Sequence, residues 1–330
     1  TDMSNTGIWI VAEAYGGALE STTLELLGKA RELGGPVAVV LVGSGVKGLA
    51  AGLGDYGADK VFVADHADLA AYRSETYGAI VAKLVEEHKP SAVLFPASSM
   101  GRDVASFVAA QLKTGIAPDA SNLTSVGGAL KVTRPIFGGN ALATMASSGG
   151  TALITVLPKS FEKAAAGAGK SAEVVDVNVD PAALAAKIQV KGFVEEVLSG
   201  KINMNDAEIV VAGGRGVGSG EKFSIIEDLA RALGAAVGAS RAVTDAGWRP
   251  VNEQIGQTGV TIKPKLYIAA GISGAVQHWV GMKEAGYIIA INTDAEAPIM
   301  KVADIAIVGD LFKVIPEMIK EIDAAKGAAV

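Results

Sequence analysis

In the last third of this chain, five short apolar segments are each followed directly by glycines or by short polar residues. Gly271, Ser273 and Gly274 follow one of these segments and open a predicted helix with small side chains. Backbone N–H groups can therefore approach a diphosphate closely there, and the helix dipole favours that anion. Arg215 lies in a second, glycine-rich loop (residues 213–220) and can add a charge-assisted hydrogen bond. These residue types favour a nucleotide site.

The other three segments end in side chains that suit the rest of a nucleotide. Ser240 and Arg241 follow one segment, Asn292 follows the next, and Asp310 follows the last. Asn292 and Asp310 are short hydrogen-bond acceptors for ribose hydroxyls or adenine edges. For Asp310, which directly precedes Leu311, a helix N-cap is an equally good explanation. The carboxyl ends of parallel strands line one crevice where ligands bind, so the convergence of five such loops predicts a binding site.

A long loop, residues 247–264, lacks the periodicity of a helix or strand and contains the string QIGQTG at residues 254–259. Loops of this length in compact α/β domains usually carry function, and these residue types suit hydrogen bonding to a heteroaromatic ring. Arg241 lies just upstream, and His278 lies one helical turn into the next helix. Two positive or potentially positive groups beside one ring would stabilise negative charge on it, as on N1 and O2 of a reduced flavin. Taken alone, His278 is better explained as a solvent-facing helix residue.

The first part of the chain carries a competing motif, the dinucleotide fingerprint. Gly43, Gly45 and Gly48 directly follow an apolar segment, and Asp65 ends the next one. In a dinucleotide site these positions supply the tight turn, the pyrophosphate contact and the ribose carboxylate. However, the motif follows the second predicted strand rather than the first, and three more glycines interrupt the helix behind it. We favour a structural interpretation, in which these glycines make turns between closely packed elements.

Strands and helices alternate along the chain, which is typical of parallel sheets covered by helices on both faces. In the first part we expect strands at residues 8–12, 36–42, 61–64, 93–96 and 173–179 and helices at 22–33, 75–88 and 102–112. The stretches 123–133, 141–147 and 152–157 are β-rich and are expected to extend or flank the first sheet. In the second part we expect strands at 209–212, 236–238, 266–270, 287–291 and 305–308 and helices at 221–233, 275–285 and 311–325.

The predicted fold class is therefore α/β, with two doubly wound, mostly parallel-sheet domains, of which the second is Rossmann-like and binds the ligand. The predicted first domain spans residues 1–190, a linker spans 191–204, and the second domain spans 205–330. Two domains also suit the length, because single hydrophobic cores stop growing at about 250–300 residues.

Composition excludes several classes of protein. The chain of 330 residues has no cysteine and three histidines, so thiolate metal sites and cysteine nucleophiles are excluded and a zinc site is not expected. The formal net charge of -6 argues against nucleic acid as a partner. No apolar run reaches the ~18 residues of a membrane span, and residues 1–8 lack the pattern of a signal peptide. We therefore expect a cytoplasmic protein, with a mature mitochondrial matrix protein as the alternative.

Taken in order, the strings of the second domain resemble the electron-transfer flavoprotein alpha subunit family. The resemblance rests on residues 213–220, 239–242, 254–259, 264–278, 290–292, 297–299, 303–304 and 310–312. The strings GQTG and GISGAVQH are specific in combination, whereas the first domain matches in length and layout only. The resemblance implies a heterodimer with a beta subunit and one FAD, held mainly by the Rossmann-like second domain. It also implies that the first domain packs on the beta subunit and binds no nucleotide.

The resemblance further implies which residues contact FAD. Carried over by motif, they are Arg215, Ser240, Arg241, Ile255, Gly256, Gln257, Thr258, Ser273, Gly274, Ala275, Val276, Gln277, His278, Asn292, Asp310 and Leu311. Among them, Arg241 is expected against the isoalloxazine ring, Thr258 near its N5 edge and His278 near its O2. The resemblance implies no catalytic residue and no metal, because members of the family transfer electrons and convert no substrate.

An electron carrier of this family would take electrons from acyl-CoA dehydrogenases or similar flavin dehydrogenases, as in fatty acid beta-oxidation. It would pass them to electron-transfer flavoprotein–quinone oxidoreductase or a similar acceptor. Two alternatives stay open: a flavin-based bifurcating member that uses NADH, and a self-contained NAD(P)-linked dehydrogenase that uses the fingerprint of the first domain. A non-redox regulatory nucleotide binder would leave the ring contacts of Arg241, Thr258 and His278 unexplained.

Overall fold

The computed structural model describes residues 7–127, 129–137, 141–147, 149–167, 169–179, 186–192, 202–204 and 207–328. The chain divides into two compact units, Thr1–Val194 and Glu195–Val330. Most of the predicted linker, 191–204, lies outside the described residues, so the predicted boundaries at residues 190 and 205 stay a prediction. None of the helices within the described ranges is both long and apolar enough to cross a bilayer.

The first unit is built on a seven-stranded sheet. The strands of this unit are β1 (Ile8–Ala12), β2 (Ala14–Tyr15), β3 (Ala18–Leu19), β4 (Val37–Gly43), β5 (Lys60–Asp65), β6 (Ala92–Pro96), β7 (Ile116–Ala120), β8 (Asn122–Val126), β9 (Ala129–Ile136), β10 (Ala141–Ala146), β11 (Ala152–Val156) and β12 (Glu173–Asp176). The main sheet is parallel, in the order β12–β5–β4–β1–β6–β11–β7. Its helices are α1 (Ser21–Leu33), α2 (Lys47–Leu53), α3 (Ser74–His88) and α4 (Ser99–Gln111).

Helices cover both faces of this main sheet. Successive residues of a strand point to opposite faces, so Ile8 and Ile10 of β1 pack with α1 and α2. Trp9 and Val11 of the same strand pack with α3 and α4. A strand buried on both faces must be apolar at every position, which explains why these strands are continuous apolar runs. The predicted doubly wound α/β architecture is confirmed for this unit.

The β-rich region after residue 120 both flanks and extends the main sheet, as predicted. The stretch 123–133 lies in two strands, β8 and β9, because Gly127 has a φ of 59° that allows the chain to turn back after β8. With β10 these strands form a separate antiparallel sheet in the order β10–β9–β8. Leu123 and Leu130 of that sheet join the core on the side of α1 and α2. The stretches 152–157 and 173–179, by contrast, contribute β11 and β12 to the main sheet.

The second unit is built on a five-stranded parallel sheet. Its strands are β13 (Ile209–Gly213), β14 (Ala236–Ala239), β15 (Leu266–Ala270), β16 (Tyr287–Asn292) and β17 (Ile305–Val308), and its helices are α5 (Ser224–Leu233), α6 (Arg241–Asp245), α7 (Val276–Met282), α8 (Pro298–Val302) and α9 (Leu311–Ala328). Helix α7 is shorter than the predicted 275–285. The helices α7 and α8 cover one face of the sheet, and α5, α6 and α9 cover the other.

The strand order of this sheet is β14–β13–β15–β16–β17. From β13 the chain moves outward to β14 and then crosses back to β15 on the other side of β13. Such a reversal is a topological switch point, and ligands of open α/β sheets bind outside the carboxyl ends of the strands there. The predicted Rossmann-like second domain is therefore confirmed as a fold, and its crevice lies between the loops that follow β13 and β15.

Candidate functional site

The loops that follow β13 and β15 lie in backbone contact at the switch point. The N–H of Gly216 donates to the Gly271 carbonyl at 3.0 Å, and the N–H of Gly214 donates to the Ala270 carbonyl at 2.9 Å. A Cβ at Gly214 would lie 2.1 Å from the Gly271 oxygen, and one at Gly216 would lie 2.7 Å from the Gly271 Cα. Only glycine therefore lets the two loops form one surface, on which Arg215 is exposed.

The segment between β15 and α7 is fixed by the loop that follows β16 and by α8. The Asn292 Nδ2 donates to the Ile272 carbonyl at 2.9 Å, and the N–H of Ile299 donates to the Ser273 carbonyl at 3.1 Å. Helix α7 has Ala275 at its N-cap position, and no side chain caps its first turn. The N–H groups at a helix start need a partner, so solvent or an anion must supply it. The exposed residues of this segment are Ser273, Ala275, Val276 and Gln277.

The long loop between α6 and β15 lies against α7. The N–H of Gln257 donates to the Gln277 carbonyl at 2.8 Å, and the N–H of Ile255 donates to the Ala239 carbonyl at the end of β14 at 2.9 Å. Gly256 has a φ of 147°, and a Cβ there would lie 2.8 Å from the Gln277 oxygen. The QIGQTG string and the GISGAVQH string thus meet in space.

His278 is buried and neutral, not exposed or positively charged. It is 7% exposed. Its Nδ1–H donates to the Ile255 carbonyl at 3.0 Å, and its Nε2 accepts from the hydroxyl of the fully buried Tyr267 at 2.7 Å. Burial lowers the pKa of His278 to about 4, although the hydrogen bond to the Ile255 carbonyl acts in the opposite direction. The explanation of His278 as a solvent-facing helix residue is therefore wrong. Its lowered pKa disfavours a positive charge near neutral pH, and the contact with flavin O2 stays a prediction.

Arg241 is exposed at the start of α6 and has a weak partner. Its Nε lies 3.2 Å from Asp245 Oδ2, and the two side chains are 66% and 63% exposed. Such exposed pairs one helical turn apart contribute only about 0.3–0.5 kcal/mol, so the guanidinium can leave Asp245 for a ligand at small cost. The preceding Ser240 ties the end of β14 to that of β13, because its N–H donates to the Gly213 carbonyl at 3.0 Å.

Asp310 caps a helix. Its Oδ1 accepts from the N–H of Phe312 at 3.0 Å, at the start of α9. Leu311 is 6% exposed and belongs to the core beneath α9. A Cβ at Gly271 would lie 3.1 Å from the Leu311 Cδ2, so this side chain supports the loop after β15. The N-cap explanation of Asp310 is confirmed, and its contact with a ligand stays a prediction.

Gln254 was not among the predicted site residues, although it begins the QIGQTG string. It is 6% exposed. Its Oε1 accepts from the Thr244 hydroxyl at 2.7 Å, and its Nε2 donates to the Thr258 hydroxyl oxygen at 3.0 Å. The amide therefore connects a buried threonine of α6 to the exposed threonine that the family resemblance places at the flavin N5.

The ion pairs that Arg249, in the same loop, makes with two glutamates were also not predicted from the sequence. Arg249 donates to Glu253 from Nε at 2.6 Å and from Nη2 at 2.9 Å, and to Glu227 of α5 from Nη1 at 2.5 Å. Its guanidinium also lies 5.1 Å from the centre of the Phe223 ring. Although burial opposes the charge, the two carboxylates raise the pKa of Arg249. The sequence carried no signal for this pair, because a spacing of four residues brings side chains together on a helix and residues 247–264 lack helical periodicity.

In the glycine fingerprint of the first unit, the carboxylate of Asp65 occupies backbone N–H groups that a nucleotide would need. Asp65, at the end of β5, accepts from the N–H of Gly45 at 2.8 Å and from the N–H of Lys47 at 2.9 Å. These N–H groups lie at the start of α2, where a pyrophosphate would have to bind. The geometry therefore favours the structural interpretation of Gly43, Gly45 and Gly48.

Comparison with protein families matches both units of the chain. The model described as the electron transfer flavoprotein domain matches residues 8–182. The model described as the electron transfer flavoprotein FAD-binding domain matches residues 203–283. The second match includes the loops after β13, β14 and β15 and the loop that carries QIGQTG.

Curated relatives align along nearly their whole length. The electron transfer flavoprotein subunit alpha of Thermoanaerobacterium thermosaccharolyticum is 42% identical over 325 residues, which cover 97% of this chain and 98% of the relative. Protein FixB of Clostridium saccharobutylicum is 43% identical over 334 residues, with 97% and 98% covered. The electron transfer flavoprotein subunit alpha of Bacillus subtilis is 38% identical over 314 residues, with 94% and 96% covered.

Proposed function

Because this chain belongs to the electron transfer flavoprotein alpha subunit family, we propose that its second unit binds FAD and carries electrons in a heterodimer with a beta subunit. The observation that carries the proposal is the contact of the QIGQTG loop with the GISGAVQH segment, through the Gln257 N–H and the Gln277 carbonyl. This contact brings together two of the strings that the family resemblance assigns to FAD.

The start of α7 suits the diphosphate of FAD. No side chain caps this helix, and the N–H groups of a helix start attract anions. Gly271 and Gly274, with φ of 65° and 81°, shape the loop that leads into it. Arg215, exposed on the neighbouring loop, adds a positive charge that can bind a phosphate oxygen.

The loops after β14 and α6 offer a positive charge and a hydroxyl to the isoalloxazine ring. Arg241 can lie on the ring and stabilise the negative charge that it gains on reduction. The Thr258 hydroxyl is exposed and can reach the N5 edge. His278 is neutral and holds the loop through Ile255, so the charge beside the ring comes from Arg241. Bound FAD supplies the one- and two-electron redox chemistry itself.

The proposal is tested by co-expressing the chain with a beta subunit and identifying the released cofactor by its absorbance and chromatographic mobility. Gly216→Ala should lose FAD, because a Cβ there would lie 2.7 Å from the Gly271 Cα. Gly48→Ala, in the fingerprint of the first unit, is the matched control, since a Cβ there meets nothing within 4 Å. A colourless wild-type complex would overturn the proposal. Loss of the cofactor from the control alone would move the site to the first unit.

The electron donors and acceptors follow from the family resemblance and stay predictions. We expect an acyl-CoA dehydrogenase with its substrate to reduce the flavin and a quinone oxidoreductase to reoxidise it. Anaerobic reduction by NADH alone would instead support the bifurcating alternative. The cytoplasmic location also stays a prediction.

A further inference from the structure

Gln254 is a buried amide whose two polar side-chain atoms both contact threonine hydroxyls. A buried amide is costly unless it is hydrogen-bonded, and the contacts at Gln254 run to Thr244 on one side and to Thr258 on the other. Thr244 is 7% exposed, whereas Thr258 is exposed at the surface of the loop. The amide therefore connects the core to a surface hydroxyl.

The hydrogens along this connection have a direction. Thr244 has one hydroxyl hydrogen and two acceptors, the Gln254 Oε1 at 2.7 Å and the Arg241 carbonyl at 3.0 Å. Because the contact with Oε1 is the shorter one, the Thr244 hydroxyl hydrogen points to the Gln254 Oε1. The other end of the amide, Nε2, then faces Thr258. An amide N–H can only donate. It therefore fills an acceptor position of the Thr258 oxygen and leaves the hydroxyl hydrogen of Thr258 to point elsewhere.

The backbone of Gln254 is held on both sides. Its N–H donates to the Val251 carbonyl at 3.0 Å, and its carbonyl accepts from the N–H of Val260 at 2.7 Å. The preceding Glu253 is clamped by Arg249, whose side chain is 12% exposed. A side chain anchored in this way keeps its direction, which is what the orientation of a neighbouring hydroxyl requires.

We propose that Gln254 is a positioning residue, which directs the Thr258 hydroxyl hydrogen out of the loop and toward N5 of the bound flavin. This inference rests on the proposed FAD site. The N5 of the oxidised ring accepts hydrogen bonds and cannot donate them. Negative charge increases on the ring when it takes up an electron, so an oriented O–H donor makes that uptake more favourable.

Gln254→Glu keeps the shape of the side chain and reverses the hydrogen bond, because an ionised carboxylate can only accept and draws the Thr258 hydroxyl toward itself. In the FAD-loaded heterodimer we expect the one-electron reduction equilibrium to fall about tenfold to a hundredfold. That corresponds to a one-electron midpoint potential more negative by about 60 to 120 mV. The potential should return toward the wild-type value as pH falls through the pKa of the introduced carboxyl, because the protonated group donates again.

Gln254→Leu removes the hydrogen bond to Thr258 without adding a charge, so it separates the orientation of the Thr258 hydroxyl from the effect of the carboxylate charge. It should also make the one-electron potential more negative, but it should have no further effect when Thr258→Val has already removed the hydroxyl. An equal effect of Gln254→Leu with and without that hydroxyl would show that Gln254 does not act through Thr258. Potentials equal to wild type in flavin-containing Gln254 variants would overturn the inference and leave the FAD site standing.

The failure of the FAD site itself gives a different result, since the wild-type complex then lacks flavin. If both Gln254 variants lose FAD, Thr244→Val takes their place. It removes the donor that fixes the amide and leaves Gln254 in the loop. The expected potential shift has the same sign and is smaller, and an unchanged potential would overturn the inference.

Discussion

His278 should make the second unit less stable as the pH falls. Burial lowers its pKa to about 4 in the folded chain, against about 6.5 when it is unfolded. Between these values the unfolded chain binds a proton that the folded chain does not, so the free energy of unfolding rises with pH across this window. The slope of the free energy of unfolding against pH approaches about 1.4 kcal/mol per pH unit, and the total change between the two pKa values is about 3 kcal/mol. This contribution is complete above the unfolded pKa and is lost as pH falls through the folded one.

The assay compares wild type with His278→Asn by denaturant unfolding across this pH range. Asparagine does not titrate, and its amide N–H can still donate to the Ile255 carbonyl. Both proteins carry Trp9→Phe, so that fluorescence reports on Trp248 and Trp279, the two tryptophans of the second unit. The buried carboxyls whose pKa is raised by burial, Glu13 and Glu25, lie in the first unit and are present in both proteins, so their titration cancels in the comparison.

Wild type should lose stability relative to His278→Asn as the pH falls from about 6.5 to about 4, and the two profiles should be parallel above this range. Tyr267→Phe is the second control. It removes the hydroxyl that donates to the His278 Nε2, so the neutral ring loses a partner, its pKa rises and the window narrows. Parallel profiles for wild type and His278→Asn over the whole range would refute the argument from burial.

Two further substitutions test the supporting contacts. Arg249→Met should destabilise the second unit by about 3 kcal/mol in urea unfolding and weaken FAD binding, because it leaves the carboxylate of Glu253 buried without its guanidinium. Its control Arg231→Met, in a pair whose side chains are 75% and 50% exposed, should cost less than about 0.5 kcal/mol. Asp65→Ala should lower the stability of the first unit by about 1–2 kcal/mol and leave the FAD content unchanged, because it removes the acceptor of the Gly45 N–H. Loss of FAD from this variant would contradict the structural interpretation of the first glycine motif.

The strands of the second unit could be predicted from the sequence almost to the residue. The predicted segments 209–212, 266–270 and 305–308 correspond to Ile209–Gly213, Leu266–Ala270 and Ile305–Val308. Ile209–Gly213 and Leu266–Ala270 lie inside a parallel sheet with both faces covered, so they are apolar runs that end where the ligand loops begin. Ile305–Val308 is the edge strand and is largely exposed, although it is equally apolar. The candidate site was predicted at that edge for the same reason, because the polar loops all leave the carboxyl edge of one parallel sheet.

The direction of side chains in short elements could not be predicted in this way. Helix α7 has seven residues, too few turns for apolar periodicity to define a buried face. His278 therefore had no sequence signal that it points inward, and its burial depends on Tyr267, which comes from a neighbouring strand. The antiparallel pairing within the β-rich stretch 123–133 could not be predicted for a related reason, since one glycine at a turn decides it.

The QIGQTG string combines two layers of the site. Gln254, Ile255 and Gly256 are buried and hold the loop against β14, α6 and α7, whereas Gln257 and Thr258 are exposed on its outer side. A sequence motif cannot separate these layers, because packing and ligand contact both restrict residue type. Burial can. Changes in the exposed layer should therefore alter FAD affinity or potential with little effect on unfolding, whereas changes in the buried layer should alter unfolding and reach the flavin through the geometry of the loop.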